Sequence, residues 1–259
     1  LLVEFAGTEL SELKQKLKEL DELMEAHGFK DAVVEAIDPK LQKEVWDVRK
    51  SGLNIMMSMK GDGKPVSCIE DCAVELPDLA EYTSRLNELF EKYGTTGTWY
   101  AHASVGCLHV RPVLNMKQEI DAKKLRAITE ETFAIVQEYK GSHSGEHGDG
   151  LVRSEFHELM YGKRIVNAFE KIKQIFDPSS LLNPGKIVNP SKMDDRSLFR
   201  YGPDYKQSNI NSGLDWSEWG GFDRAVEMCN NNGACRKFNT EVMCPSYRVT
   251  LDERHLTRG

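Results

Sequence analysis

Residues 98–113 read Thr98-Trp99-Tyr100-Ala101-His102-Ala103-Ser104-Val105-Gly106-Cys107-Leu108-His109-Val110-Arg111-Pro112-Val113. Thr98–Ala101 and Cys107–Val113 read as two strands joined by a short turn. Side chains alternate along a strand, so Cys107, His109 and Arg111 share one face of the second. His102 ends the first strand, seven positions before His109. His109 and Arg111 are therefore expected to point together into one cavity.

Outward from this hairpin, helices and strands intersperse. Leu1–Phe5 and Asp31–Ile37 read as strands. Between them Leu10, Leu13, Leu17, Leu20 and Met24 fall at helical spacing, which Gly28 stops. Asp38-Pro39 opens a second helix with the stripe Leu41, Val45 and Val48, and Gly52 is expected to end or weaken it. Pro65–Leu76 alternates in part and predicts a strand. Asp78–Tyr93 is a helix closed by Gly94, and Asp121–Tyr139 another, with Leu125, Ile128, Thr132 and Ile135 on one face. A glycine-dense loop, Gly141–Gly150, precedes one long helix from Ser154 to Phe176, which Asp177-Pro178 ends. The order implies an α+β fold: a ferredoxin-like antiparallel or mixed sheet covered by helices on one face, with an irregular C-terminal extension. Residues 191–222, holding Tyr205, Trp216 and Trp219, read as a linker wrapped over a neighbouring surface. A helix is expected from Asp223, and residues after about 190 are expected to be poorly anchored.

The chain has 259 residues, 40% of them hydrophobic and 29% charged, an ordinary globular composition. A net charge of −7 gives no bulk attraction for nucleic acid. No apolar run approaches the ~18–20 residues of a membrane span, and no signal peptide is visible. The opening Leu1-Leu2-Val3-Glu4-Phe5 and the close at Gly259 both read as cuts inside a larger polypeptide.

Two sets of side chains carry chemistry. His102 and His109 combine with Glu146 of Gly145-Glu146-His147-Gly148-Asp149-Gly150 as two imidazoles and a carboxylate. This donor set suits Zn²⁺ with an open position, or Fe²⁺ or Mn²⁺. His147, beside the carboxylate, is then a candidate base. Each histidine alone also reads as a hydrogen-bonded structural residue, and the loop as a solvated one. His27, His157 and His255 have no such context, and the spacing of His143 adds nothing. Arg49 and Lys64 are basic residues near apolar runs. Arg111, on the site face, can hold a carboxylate by a bidentate contact. Cys68, Cys72 and Cys107 read as small buried hydrophobes. Cys229-x5-Cys235-x8-Cys244-Pro245 places thiols near a Cys-Pro step, as ferredoxin-type clusters do, although three cysteines fall one short of the usual four. Zinc ligation and inert thiols are the alternatives for this segment. For the whole chain, a metal-dependent hydrolase and a non-catalytic ferredoxin-like binding module stand as alternatives.

The GEHGDG loop at 145–150, the helix after it, Phe176-Asp177-Pro178 and Leu182-Asn183-Pro184-Gly185-Lys186 together resemble the C-terminal half of the FAD-linked oxidase family. That family includes D-lactate, glycolate and D-2-hydroxyglutarate dehydrogenases. The resemblance covers roughly residues 1–190 and extends to the branch that continues into an iron–sulfur region. It implies a substrate cap domain at 1–190, a linker at 191–222 and the start of an iron–sulfur segment at 223–259. It implies a divalent metal (Zn, Mn or Fe) on His102, His109 and Glu146, with His147 as base. Asn183 matches the position where the chain returns to the flavin. Arg49, in Trp46-Asp47-Val48-Arg49, looks like the arginine that meets the substrate carboxylate, and Lys64 and Arg111 join it as substrate-binding candidates. Cys229, Cys235 and Cys244 are implied ligands of a 4Fe–4S cluster that this chain does not complete, with the missing ligands beyond Gly259.

The implied activity is oxidation of a small 2-hydroxy acid by FAD, itself held by a separate FAD-binding domain of the same polypeptide. Electrons would pass through iron–sulfur clusters to an acceptor such as a quinone or cytochrome. The implied place is the cytoplasm or the periphery of the inner membrane, and the piece alone is expected to be inactive. The commoner family turn reads His-x-Gly-Asp-Gly-Asn-Leu-His. Here the ligand positions survive, but Arg111 stands where Asn is common, which points to an additional anionic group on the substrate.

Overall fold

The computed structural model describes residues 2–238 and 243–256. The chain divides into two compact units, Leu1–Leu53 and Asn54–Gly259.

In the first unit, α1 (Leu10–Ala26) forms where the leucine spacing predicts it. The next helix, α2 (Pro39–Met57), is capped at its start by the Asp38 carboxylate, which accepts from Leu41 N at 2.9 Å. Gly52 does not end it, because one glycine inside a helix costs only ~1 kcal/mol. The strands expected at 1–5 and 31–37 do not form among the described residues. An extended run becomes a strand only where a second strand meets its N–H and C=O groups, and no ladder joins these two.

The second unit is built on β4 (Cys107–Leu114). One edge pairs antiparallel with β3 (Gly97–His102), from Gly97↔Pro112 to His102↔Cys107. The hairpin foreseen in the sequence is thus present, slightly longer than expected. The predicted strand at 65–76 is split into β1 (Lys64–Pro65) and β2 (Cys72–Ala73), which share the other edge of β4. Pro65 faces Val113, while Cys72 faces Leu108. Seven steps along one strand therefore oppose five along the other, and the two surplus residues are accommodated as a bulge at 67–71.

Leu108, Val110 and Leu114, on one face of β4, join Tyr82, Leu86, Leu89 and Phe90 of α3 (Leu79–Lys92) in a single core. Leu125, Ile128, Phe133 and Val136 of α4 (Glu119–Glu138) complete it. The opposite face of β4 carries Cys107, His109 and Arg111. The fold is α+β, with a small antiparallel sheet.

The long helix expected at 154–176 is broken. Short turns α5 (Gly150–Arg153) and α6 (His157–Tyr161) precede α7 (Lys163–Phe176). Gly162 separates the last two with φ 78° and ψ 157°, a conformation a side chain would oppose.

The expectation of weak anchoring after residue 190 is overturned for residues 193–199. Met193 is in the core, Phe199 packs against it, and Arg126 pairs with Asp194 at 2.5 Å. Further on, Trp219 lies under Lys60 at 5.2 Å from Nζ to ring centre, and Lys117 joins Asp62 to Glu227 of α8 (Phe222–Glu227). A last short helix, α9, covers Pro245–Thr250. No helix among the described residues is long and apolar enough to cross a membrane.

The β3–β4 turn closes at Gly106, with φ +71°. A Cβ built there would fall 1.9 Å from Val74 O, and Gly106 O accepts from Val74 N at 3.1 Å. Gly106→Ala is expected to lower stability by at least ~1–2 kcal/mol, the left-handed cost alone, with the clash in addition. A urea midpoint equal to wild type would show that the turn does not constrain the sheet.

Candidate active site

The site face of β4 points His109 toward the glycine-dense loop. That loop begins as an extra strand-like pairing: Ser142 and Ala73 exchange hydrogen bonds of 2.8 and 2.9 Å across the free edge of β2. The bulge then takes over. Asp71 O accepts from Gly145 N at 2.7 Å. The Asp71 carboxylate accepts from Glu146 N at 3.0 Å and from His147 N at 2.9 Å. Ser144 Oγ donates to it at 3.3 Å, and Arg153 Nη2 stands 3.7 Å away. Burial works to raise the Asp71 pKa, but those two N–H groups and the Arg153 charge outweigh it and hold the carboxyl below its ordinary range.

The pinned loop delivers Glu146 to three imidazoles. Its Oε1 lies 3.1 Å from His109 Nε2, 3.2 Å from His147 Nε2 and 3.3 Å from His102 Nε2. His109 Nδ1 is 2.8 Å from Glu70 O. A carbonyl oxygen only accepts, so when the ring is neutral its proton sits on Nδ1 and the Nε2 lone pair faces Glu146. A lone pair aimed at a carboxylate oxygen is repulsive unless a cation lies between them. Atoms bound tetrahedrally at ~2.0–2.1 Å stand about 3.3 Å apart, which matches all three separations. The donor set thus fits a divalent metal.

The sequence-derived trio of His102, His109 and Glu146 converges here. His147 approaches Glu146 as closely as His102 does, and His109, Glu146, His147 and Asp71 form one group whose ligand atoms lie within 4.8 Å of one another. Asp71 is committed to the loop amides, so its part is to anchor. His147 is 40% exposed at its side chain. Its Nδ1 faces Glu70 Oε1 at 3.5 Å and Asp71 Oδ1 at 3.8 Å. These carboxylates favour a proton on Nδ1 and leave Nε2 toward the centre of the site.

The other candidates are distributed differently. Arg111 is paired with the Glu70 carboxylate. Lys64 faces Leu114 in the ladder, five residues or about 16 Å of strand from His109, and donates to Met59 O. Burial lowers its pKa. Arg49 belongs to α2, with its guanidinium 5.1 Å from the centre of the Trp46 ring. Asn183, at φ 45°, is exposed on a turn whose start is fixed by Asp177. Asp177 accepts from Leu181 N and Leu182 N, each at 2.9 Å. Its bond to Lys173 and those amides hold its pKa down at about 2.

Cys68 and Cys72 are buried, and burial pushes their thiols up to about 12. Burial first, then the Asp71 and Glu146 charges, raises Cys107 to about 11. All three are inert protonated thiols, as the sequence suggests. Cys244 is buried and donates to His255 O at 3.1 Å, while Cys229 and Cys235 are half-buried. Three thiols do not complete the four-thiolate set of a 4Fe–4S cluster.

Glu70 and Asp71 are the site residues that sequence reasoning missed. The one available signal is an acidic pair, Ile69-Glu70-Asp71-Cys72, inside an otherwise apolar strand.

Residues 1–187 match the family described as FAD linked oxidases, C-terminal domain. Over its full length the chain is 31% identical to a D-2-hydroxyglutarate dehydrogenase of Pseudomonas putida and 29% identical to one of Escherichia coli, covering 26% of each. Over 73% of its length it is 26% identical to a mitochondrial D-lactate dehydrogenase [cytochrome] of Arabidopsis thaliana, covering 33% of that protein. The chain therefore spans about a quarter of the length of the first two relatives.

Proposed function

The chain belongs to the C-terminal domain family of the FAD linked oxidases, and on that footing we propose that it is the substrate-side cap of an FAD- and metal-dependent D-2-hydroxy-acid dehydrogenase of the D-2-hydroxyglutarate or D-lactate type. The observation that carries this reading is the convergence of three imidazole nitrogens on one oxygen of Glu146.

His102, His109 and Glu146 would hold a divalent ion (Zn, Mn or Fe), which would supply Lewis-acid polarisation of the substrate 2-hydroxyl. FAD, which a separate domain of the same polypeptide would hold, would supply the redox chemistry. His147 receives the hydroxyl proton at Nε2, and the Glu70 and Asp71 carboxylates beside Nδ1 stabilise the resulting imidazolium. Arg111 is the candidate for a direct contact to the substrate carboxylate from the site face of β4, although its guanidinium is already paired with Glu70. Arg49 is assigned to a substrate carboxylate and Asn183 to the flavin side on the family resemblance alone, and Lys64 joins Arg49 only as a basic residue near an apolar run.

Cys229, Cys235 and Cys244 lead an iron–sulfur segment on the way to a quinone or cytochrome acceptor. Their incomplete donor set carries no step here. The domain limits 1–190, 191–222 and 223–259 and a cytoplasmic or inner-membrane-peripheral location belong to the same proposal. So does inactivity of the cap by itself, since the hydride has no acceptor in it.

His147→Asn in the full-length flavoprotein tests the assignment. Turnover should fall by about 10²–10⁴-fold, the usual worth of a general base, while bound metal stays near wild type. Unchanged turnover removes His147 as base. Metal loss as complete as that of a His109 variant makes His147 a ligand instead.

A further inference from the structure

His143 and His157 take no part in the site above, and both are enclosed, at 0% and 2% exposed. They close on Asp149 from two sides. His143 Nε2 is 3.7 Å from Asp149 Oδ1, and His157 Nε2 is 2.9 Å from Asp149 Oδ2. The three ligand atoms lie within 4.8 Å of one another. Yet none of the four ring nitrogens, nor Asp149 Oδ1, makes a well-aligned hydrogen bond among the described residues, although His157 and Asp149 remain in electrostatic contact at 2.9 Å. Aromatic rings complete the setting: Phe133 and Tyr161 stand edge-on to His143, and Phe169 edge-on to His157. Buried polar atoms almost always find partners, so four orphaned ring nitrogens and one oxygen of the carboxylate between them call for a missing one. Arg153, the cation nearby, turns its Nη2 to Gly148 O and toward Asp71.

We propose that His143, Asp149 and His157 bind a second divalent cation, separate from the one assigned to His102, His109 and Glu146. Two imidazoles and a carboxylate select the borderline class, Zn²⁺, Co²⁺ or Fe²⁺. Donor atoms on a tetrahedral ion stand about 3.3 Å apart; the two imidazoles meet the two oxygens of the carboxylate at 3.7 and 2.9 Å, and one ligand atom from each residue lies within 4.8 Å of the others. A water takes the fourth position. The ion is a clamp. It ties the entry of the glycine-dense loop at His143 and its exit at Asp149 to the first residue of α6, and so fixes the segment that presents Glu146 and His147. This inference does not depend on the function proposed above.

The test is zinc stoichiometry by mass spectrometry on the full-length flavoprotein, loaded with Zn²⁺ and passed over a chelating resin. Wild type should retain two equivalents, His157→Gln one, and His109→Ala one, because it keeps the clamp. Anomalous diffraction at the zinc edge on wild-type crystals should show a peak in contact with His143, Asp149 and His157, a readout that needs no variant to fold. A wild-type protein with one equivalent and no peak at these atoms overturns the proposal, as does a folded His157→Gln protein that keeps both ions.

Discussion

Under the proposed function, full-length protein carrying His109→Ala is expected to lose kcat/KM for a D-2-hydroxy acid by about four orders of magnitude. The loss follows from the place of His109 at the middle of the site. Its ring is buried, its Nδ1 is tied to Glu70 O, and its Nε2 is the closest of the three imidazole nitrogens to Glu146. Without it the donor set drops to one imidazole and one carboxylate, each on the exposed side of the site. Charge stabilisation by a bound metal is worth several kcal/mol, and ~5 kcal/mol corresponds to nearly 10⁴ in rate. The bound metal should fall in parallel, while flavin content stays unchanged. A variant that keeps full activity after chelation would rule out metal dependence altogether.

Asp71→Ala should cost about 3–5 kcal/mol of stability, the usual result of removing one partner from a buried charged network. Asp71 is wholly enclosed and holds the amides of Glu146 and His147, with Arg153 as its counter-charge. The alanine leaves both amides without an acceptor and the Arg153 charge without its partner. For a unit of this size the melting temperature should fall by on the order of 10 °C. Asp71→Asn, which keeps one acceptor oxygen and loses the charge, should fall in between. Because the carboxyl is depressed in the fold, its contribution is present above the ordinary carboxylate pKa of about 4. It is lost as pH drops through the folded value, so the gap between wild type and Asp71→Ala should narrow in acid. Equal melting curves at neutral pH would show that the loop holds its shape by other means.

What the sequence makes legible is what is local. The β3–β4 hairpin, α1, α3 and α4 each follow a period set by nearest neighbours, and their residues lie where that period puts them. His102, His109 and Glu146 come together because the hairpin carries the first two and a distinctive glycine-rich motif carries the third. The strands expected at 1–5 and 31–37 show the limit of pattern reading, since β-propensity states what suits a sheet without supplying a partner. Glu70 and Asp71 were hidden for a related reason. Their direction depends on a mismatch between two strands whose pairing residues lie some 35 to 50 positions apart. His143 and His157 were passed over because fourteen positions and a broken helix separate them, and no local spacing joins such a pair.

The two surplus residues between Pro65 and Cys72 also constrain how this protein can change. Adding or deleting one residue there would reverse the alternation along the segment and turn Glu70 and Asp71 to the wrong side, releasing the glycine-dense loop and freeing Arg111 in one event. Changes of two residues preserve the facing but move the anchor along β4. The segment therefore works as a fixed-length ruler. Substitution can exchange side chains at Glu70 or Arg111 one at a time, but it has almost no freedom to alter the spacing that aims them.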